Sequence, residues 1–355
     1  MENKELRIKE VKNVKWKMKN YKKHKDFDNP KNFNNFNNLK SSFTLIEAIL
    51  VIVILSFILI GGFQILSKLY VRNYIAKQTS NFEFESQQTL DQISQMLYFR
   101  VPLSVIGYNQ QTGDFKYIGE IENSDNYPVL EWIGYLNDAM HDANLSGFVD
   151  LYESRKPVIK AVDFNSDFIN KILRNKYDTT KNLKDLTSVI FAGSFDRGSE
   201  SVLNNYDNSF GWHGNKADVV YRISDYVQND NNCSLTLKNY DNTDINHATV
   251  YEKFYLADSA YAIALKRDLQ KDKWKCPAFK WNDLNDDDLL LFYNYRPWAG
   301  ESFCGDGGDG NVTLLASNVK AFRVKKVNYH LMFKIEMFKS KADINISVSK
   351  QKVAF

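Results

Sequence analysis

From Ala48 to Ser67 the chain runs for twenty residues without a charge, A-I-L-V-I-V-I-L-S-F-I-L-I-G-G-F-Q-I-L-S. Coiled as a helix, such a run rises about 30 Å, the thickness of a bilayer's hydrocarbon core. A buried helix of a water-soluble protein is rarely so uniformly apolar, so the run predicts a membrane span. The charges around it predict an orientation. Residues 1–42 hold twelve Lys/Arg against five acids, a net +7, which places the N-terminus in the cytoplasm and the bulk of the chain outside. The +3 of the whole chain hides this asymmetry, because residues 43–355 carry a net −4. That acidic balance argues against a nucleic-acid groove, and no direct nucleic-acid binding is expected.

A cleaved secretory signal would close the apolar run with small residues in an A-x-A-like pattern, and Ile60-Gly61-Gly62-Phe63-Gln64 does not supply one. An acid also sits at the head of the run. Glu47 follows Phe43-Thr44-Leu45-Ile46, four residues into a stretch otherwise fit for lipid. A carboxylate at the centre of a membrane helix costs about 2.5–3.5 kcal/mol, and less near the interface. A plain signal anchor has no use for it, so Glu47 is a candidate functional residue that requires a partner.

Ser42-Phe43-Thr44-Leu45-Ile46-Glu47, directly before an apolar run, resembles the processing motif of type IV pilins and of the pseudopilins of type II secretion systems. The resemblance implies cleavage by a prepilin peptidase between Ser42 and Phe43 and methylation of the new amino terminus at Phe43. Glu47 then becomes the fifth mature residue. This chain has Ser42 where the family usually has Gly, and its leader is long; a start at Met18 would leave 25 leader residues (18–42). Cleavage creates an ammonium on Phe43 close to the acyl region, and pairing it with Glu47 of an adjacent subunit would offset both desolvation penalties and fix axial register. The Asn-rich tract 29–38 reads as a solvated, low-complexity segment.

Past the bilayer, Leu69, Ile75, Leu90, Ile93 and Leu97 recur at spacings compatible with an apolar helical stripe. Pro102 disfavours helix at Val101, so the expected helix covers 43–101, roughly 90 Å, softened at Gly61-Gly62. The expected organisation is a basic leader over 1–42, a transmembrane segment over 43–67, an amphipathic continuation over 68–101 and a head over 103–355. The head reads as strand-rich, with strands at 115–121, 129–135, 158–164, 188–191, 218–223, 234–238, 250–256, 260–265, 289–295, 319–324, 330–338 and 344–348, and a helix at 166–177. The fold class is α+β, a long N-terminal helix packed on a strand-rich head, which is pilin-like by resemblance. Val312–Phe322 with the alternating strand after it loosely resembles the C-terminal part of larger minor pseudopilins, the J-type or PilW-like group.

No catalytic motif occurs, and the histidines are scattered without metal-ligand spacing, so no enzyme is expected. Cys233, Cys276 and Cys304 lie on the side expected to be oxidising. Cys276 and Cys304 bracket the 289–295 strand and form the preferred disulfide; three free, buried thiols are the competing reading. Gly305-Asp306-Gly307-Gly308-Asp309-Gly310-Asn311 offers the oxygen set that Ca²⁺ takes. Some pseudopilins bind calcium near such loops, so the resemblance makes Asp306 and Asp309 candidate calcium ligands beside the reading of a solvated turn. No other cofactor is expected.

Taken together these features lead to the expectation of a minor pseudopilin-like subunit of a type II secretion or type IV pilus-type filament. The head is large for the family, which favours the filament tip or assembly initiation. By resemblance its partners are the prepilin peptidase, other pilins or pseudopilins through the N-terminal helix, the inner-membrane assembly platform and the lipid bilayer. Its expected location is single-pass in the inner membrane, head in the periplasm or outside, entering a filament after processing. Open alternatives are a minor pilus or competence-pilus subunit serving adhesion or DNA uptake, or a signal-anchored periplasmic binding protein or enzyme.

Overall fold

An apolar run without proline coils, and the first element is one helix, α1, Leu45–Tyr98, 54 residues long. It continues through Gly61 and Gly62 without a break. The computed structural model describes residues 44–354 except 123, 142–143, 196–204, 246–247, 329 and 342–343. The leader, Met18, the Asn-rich tract, Ser42 and Phe43 therefore lie outside the described residues. By its internal contacts the chain divides into two units, Met1–Lys68 and Leu69–Phe355.

In the first unit, α1 is long and apolar enough to cross a membrane, and its apolar side chains are exposed throughout. An uninterrupted exposed apolar surface of this kind is costly in water and suits lipid.

In the second unit, α1 buries one face. Phe82, Ser86, Thr89, Leu90, Ile93 and Leu97 recur at helical spacing and are shielded from solvent. The expected stripe is corrected at its start: Leu69 and Ile75 remain exposed. Two polar residues share the buried face because each finds an acceptor, Ser86 Oγ at the Glu83 carbonyl and Thr89 Oγ1 at the Leu315 carbonyl. The helix ends at Tyr98, before the residues that Pro102 restricts, with the Arg100 guanidinium donating to the Leu97 carbonyl at 2.6 Å. A basic group there satisfies an orphan carbonyl and suits the helix dipole.

Strands β1 (Ile106–Asn109), β2 (Asp114–Tyr117) and β3 (Val129–Tyr135) follow, then a short helix α2 (Asn137–His141) and the pair β4 (Leu145–Arg155) and β5 (Val158–Phe164). Helix α3 (Ser166–Tyr177) starts at Asn165, whose side chain accepts from the Phe168 amide, and ends at Asp178 in the left-handed region. One short turn of helix, α4 (Leu183–Leu186), leads into β6 (Ser188–Phe191), β7 (Tyr221–Asn229), β8 (Asn232–Lys238), β9 (Phe254–Leu265), β10 (Leu289–Tyr295) and β11 (Asn311–Ala316). These form an 11-stranded sheet in the order β2-β1-β3-β9-β6-β7-β8-β5-β4, with β10 pairing both β9 and β11. The last three strands, β12 (Val319–Val327), β13 (His330–Lys341) and β14 (Ile344–Ala354), make a separate 3-stranded sheet. All the pairings are antiparallel. The coarse α+β expectation holds at this level.

Strand β9 corrects one reading. From sequence, two strands are expected, at 250–256 and 260–265. The structure has one strand, β9, from Phe254 through Leu265, so residues 250–253 lie before it and 257–259 inside it. Asp258 is fully buried and its Oδ2 takes Lys176 Nζ at 2.5 Å and the Tyr177 hydroxyl at 2.7 Å, so the carboxylate is paired rather than solvated.

Two apolar clusters fill the second unit. One gathers the buried face of α1 with β3, β9, β10 and the 3-stranded sheet; the other gathers α3 with β4 to β8. Alternation in β13 aims Leu331, Phe333, Ile335 and Met337 inward, and all four are buried. Charged contacts add to this docking: Lys352 pairs with Asp91, the Ser317 amide donates to Glu85, and Lys341 lies over the Tyr74 ring.

Candidate functional site

The start of α1 holds the acid singled out by sequence. Thr44 precedes the first helical residue, and both its amide and its hydroxyl donate to Glu47 Oε2 at 3.0 Å. The Glu47 amide points back at Thr44 Oγ1 at 3.4 Å. Thr-x-x-Glu in this arrangement is a capping box, which satisfies amides that have no partner within the helix. Glu47 thus has a local partner that the charge argument overlooked. The signal was legible, since Ser/Thr followed three residues later by Glu ahead of an apolar run marks a helix start.

The cysteines are divided by the fold. Cys276 and Cys304 are joined by a disulfide with Cα atoms 4.8 Å apart, and Cys233 is free and buried in β8. The bridge ties the loop before β10 to the turn that presents Asp306.

Asp306 and Asp309 occupy different surroundings. Asp309 is exposed, whereas Asp306 turns inward. Asp306 Oδ1 accepts from Gln110 Nε2 at 2.9 Å and pairs with Lys273 Nζ at 3.0 Å; Oδ2 accepts from the Tyr108 hydroxyl at 3.0 Å. His213 Nδ1 stands 3.7 Å from Oδ2. Donors and a lysine cation therefore surround this carboxylate. Among the described residues no group of three or more His, Cys, Asp or Glu side chains is placed to hold a metal. The acidic run after Asn285 is engaged too: Asp286 pairs with Lys266, Asp287 with Arg267, and Asp288 accepts from the Asn285 amide.

His213 reveals a constellation that sequence spacing did not. Its ring stacks on Tyr108 with centroids 3.6 Å apart, and its backbone sits in the left-handed region at φ 50°. Nε2 lies 2.9 Å from Glu131 Oε1 on β3, and Glu131 Oε2 accepts from the Tyr295 hydroxyl on β10 at 2.7 Å. Burial opposes the charged imidazole, but the Glu131 carboxylate and the nearby Asp306 more than offset it and lift His213 to about 9. Burial would also raise Asp306, yet the nearby His213 cation and hydrogen bonds from Gln110 and Lys273 hold it at about 2. Burial and the neighbouring carboxylates push the Tyr108 and Tyr295 phenols upward, so both stay protonated donors. At neutral pH both imidazole nitrogens carry protons, and neither serves as a base. The arrangement is a clamp of two shielded carboxylates and His213, with the more exposed Lys273 at its edge, joining β1, β3, β10 and the disulfide-bonded turn.

The fold and this geometry define a strand-rich α+β protein bearing, among the described residues, one helix of membrane-spanning length, Leu45–Tyr98. The chain matches no family model, no curated protein and no solved structure.

Proposed function

We propose that this chain is a minor pilin-like or pseudopilin-like subunit, inserted through α1, cut before Phe43 by a prepilin peptidase and assembled into a filament through the same helix. The observation that carries the reading is Glu47 at the head of an apolar helix of bilayer length, followed by a strand-rich domain. An acid in that place serves a subunit whose neighbour brings a buried ammonium. The work is structural, with assembly driven by partner machinery.

The capping box favours one rival reading, a permanently anchored protein. Thr44 already satisfies Glu47 locally, so a simple anchor could keep the acid as a helix-start device. Intact mass and terminal peptide mapping of the membrane-extracted protein separate the two. N-methyl-Phe43 at the terminus is the expected result; a retained leader would overturn processing and leave the anchor.

A further inference from the structure

The 3-stranded sheet of the second unit ends in an open edge. β14 pairs with β13 residue for residue from Ile344 to Ala354, and among the described residues no strand lies on its other side. One bond fixes which backbone groups face outward. The Phe338 amide donates to the Asn318 carbonyl at 2.9 Å, just before β12, so even-numbered residues of β13 aim their backbone at β12 and odd-numbered ones at β14. Those odd residues face even residues of β14, as in Ile335 against Lys350 and Met337 against Val348. Asn345, Ser347, Ser349, Gln351 and Val353 therefore turn their N–H and C=O groups to the open side, and all five are exposed. Among the described residues none of the five makes a backbone bond to another segment.

The helix beneath supplies an apolar floor beyond that edge. Lys352 Nζ meets Asp91 Oδ1 at 2.5 Å, so the Asp91 flank of α1 lies on the β14 side of the sheet. Phe84 stands two turns before Asp91 and shares its flank. Phe84 is 71% exposed, whereas Phe82 and Leu90 on the covered face are buried, so the sheet stops short of this flank. A strand added to β14 would continue the sheet over Phe84 and pair the outward backbone groups in the same step.

Charge selects the strand. Residues 319–354 hold nine Lys/Arg against two acids, Glu336 and Asp343, a net +7, although residues 43–355 together carry −4. On the edge itself, Lys352 pairs with Asp91, and Lys350 brings a second cation towards the same carboxylate, which leaves a positive excess beside Phe84. Edge strands are commonly guarded by proline, by bulges or by charge, and β14 has only its two lysines. Lysines repel a basic strand and draw in an acidic one. The β14 of a second copy brings the same lysines and is disfavoured for that reason.

We propose that β14 accepts an acidic, extended segment of a partner protein as a fourth strand, with apolar residues and carboxylates alternating along the row that faces α1. The site is independent of the filament reading and is tested apart from it. A labelled, end-capped peptide of two Thr-Val-Thr-Glu repeats is titrated with full-length protein in detergent and followed by fluorescence anisotropy, beside the same peptide with Lys for Glu. Saturable binding with Kd below about 1 mM is expected for the acidic peptide, at least about tenfold tighter than for the lysine peptide. Ser349→Pro removes an outward N–H without taking a bond from β13, and it weakens binding about tenfold or more at an unchanged melting temperature. Phe84→Ala and Lys350→Glu weaken it through side chains alone, so a poorly folded proline variant does not shield the proposal. Lys171→Ala on α3 binds like the parent. No saturable binding, equal binding of the lysine peptide, or parent affinity in both Phe84→Ala and Lys350→Glu would overturn the proposal. A parent dimer that Ser349→Pro dissolves, read by light scattering, would overturn it too and give the edge to a second copy.

Discussion

His213 Nε2 and Glu131 Oε1 sit 2.9 Å apart, with Glu131 almost wholly out of solvent and His213 nearly so. Their meeting ties a left-handed turn to the middle of the large sheet. Removing His213 leaves buried Glu131 with only the Tyr295 hydroxyl, and removing Glu131 leaves His213 with Asp306 alone, either of which is more costly than losing a surface pair.

This pair makes stability depend on alkaline pH. His213 titrates at about 9 in the fold against 6.5 for a free imidazole. A raised value means the contribution is fully present below about 6.5 and is lost as pH climbs through about 9, a loss of about 3 kcal/mol. Thermal melts of the full-length protein across that range should fall steadily, and Glu131→Gln should flatten the slope. A wild-type melting temperature constant from pH 6.5 to 9.5 would contradict the pairing.

At the acid end the sign reverses. Asp306 is held at about 2 against 3.8, so its contribution is present above about 3.8 and disappears as pH falls through about 2. The effect is about 2 kcal/mol and shares contacts with His213, so the two are not summed. Asp306→Asn should be destabilised at pH 5 and show a weaker acid transition than the parent, measured by urea titration at each pH.

Glu47→Gln separates the two roles of that residue. Gln can still accept from Thr44 and keep the helix start, but it carries no charge. A charge-pairing role predicts normal insertion with filament incorporation reduced at least about tenfold, as for Glu47→Ala. If Glu47→Gln is incorporated like the parent while Glu47→Ala is not, the cap alone is the function. Membrane fractionation and crosslinking to co-expressed subunits read both quantities.

Opening the Cys276–Cys304 bridge frees a loop with a sequence separation of 28. Chain-entropy reasoning puts the loss for the Ser/Ser double variant at about 3–4 kcal/mol. Cys233, fully buried, should resist thiol labelling in the folded protein and react on unfolding. Labelling at Cys233 under native conditions would place it wrongly.

Asp258→Ala strands Lys176 and the Tyr177 hydroxyl beneath α3, and about 3–5 kcal/mol should be lost. The neutral pair Asp258→Ala with Lys176→Met should recover part of that loss in denaturant melts, because no unpaired charge remains.

Where consecutive residues carry the pattern, the reading from sequence was close. Strands β3, β5, β6 and β10 and helix α3 occupy the expected residues, since each has a run whose period matches its element. Strands β1, β4 and β11 were not foreseen. β1 has only four residues, and β4 and β11 lie at sheet edges, where burial imposes little alternation; in β4, Phe148, Leu151 and Tyr152 are exposed. The long helix was foreseen in extent but not in where its buried face begins, because Leu69 and Ile75 carry the apolar pattern yet stay exposed.

Sequence by itself determined the membrane-length helix, the acid at its head and the capping pattern around that acid, because all three depend on residues within a few turns of one another. Only the tertiary structure decided which polar groups are buried together. His213 meets Glu131 across 82 positions, and Tyr108 meets Asp306 across 198. Their energy comes from shared exclusion of water, which exists only once the strands have paired, and no local spacing records it.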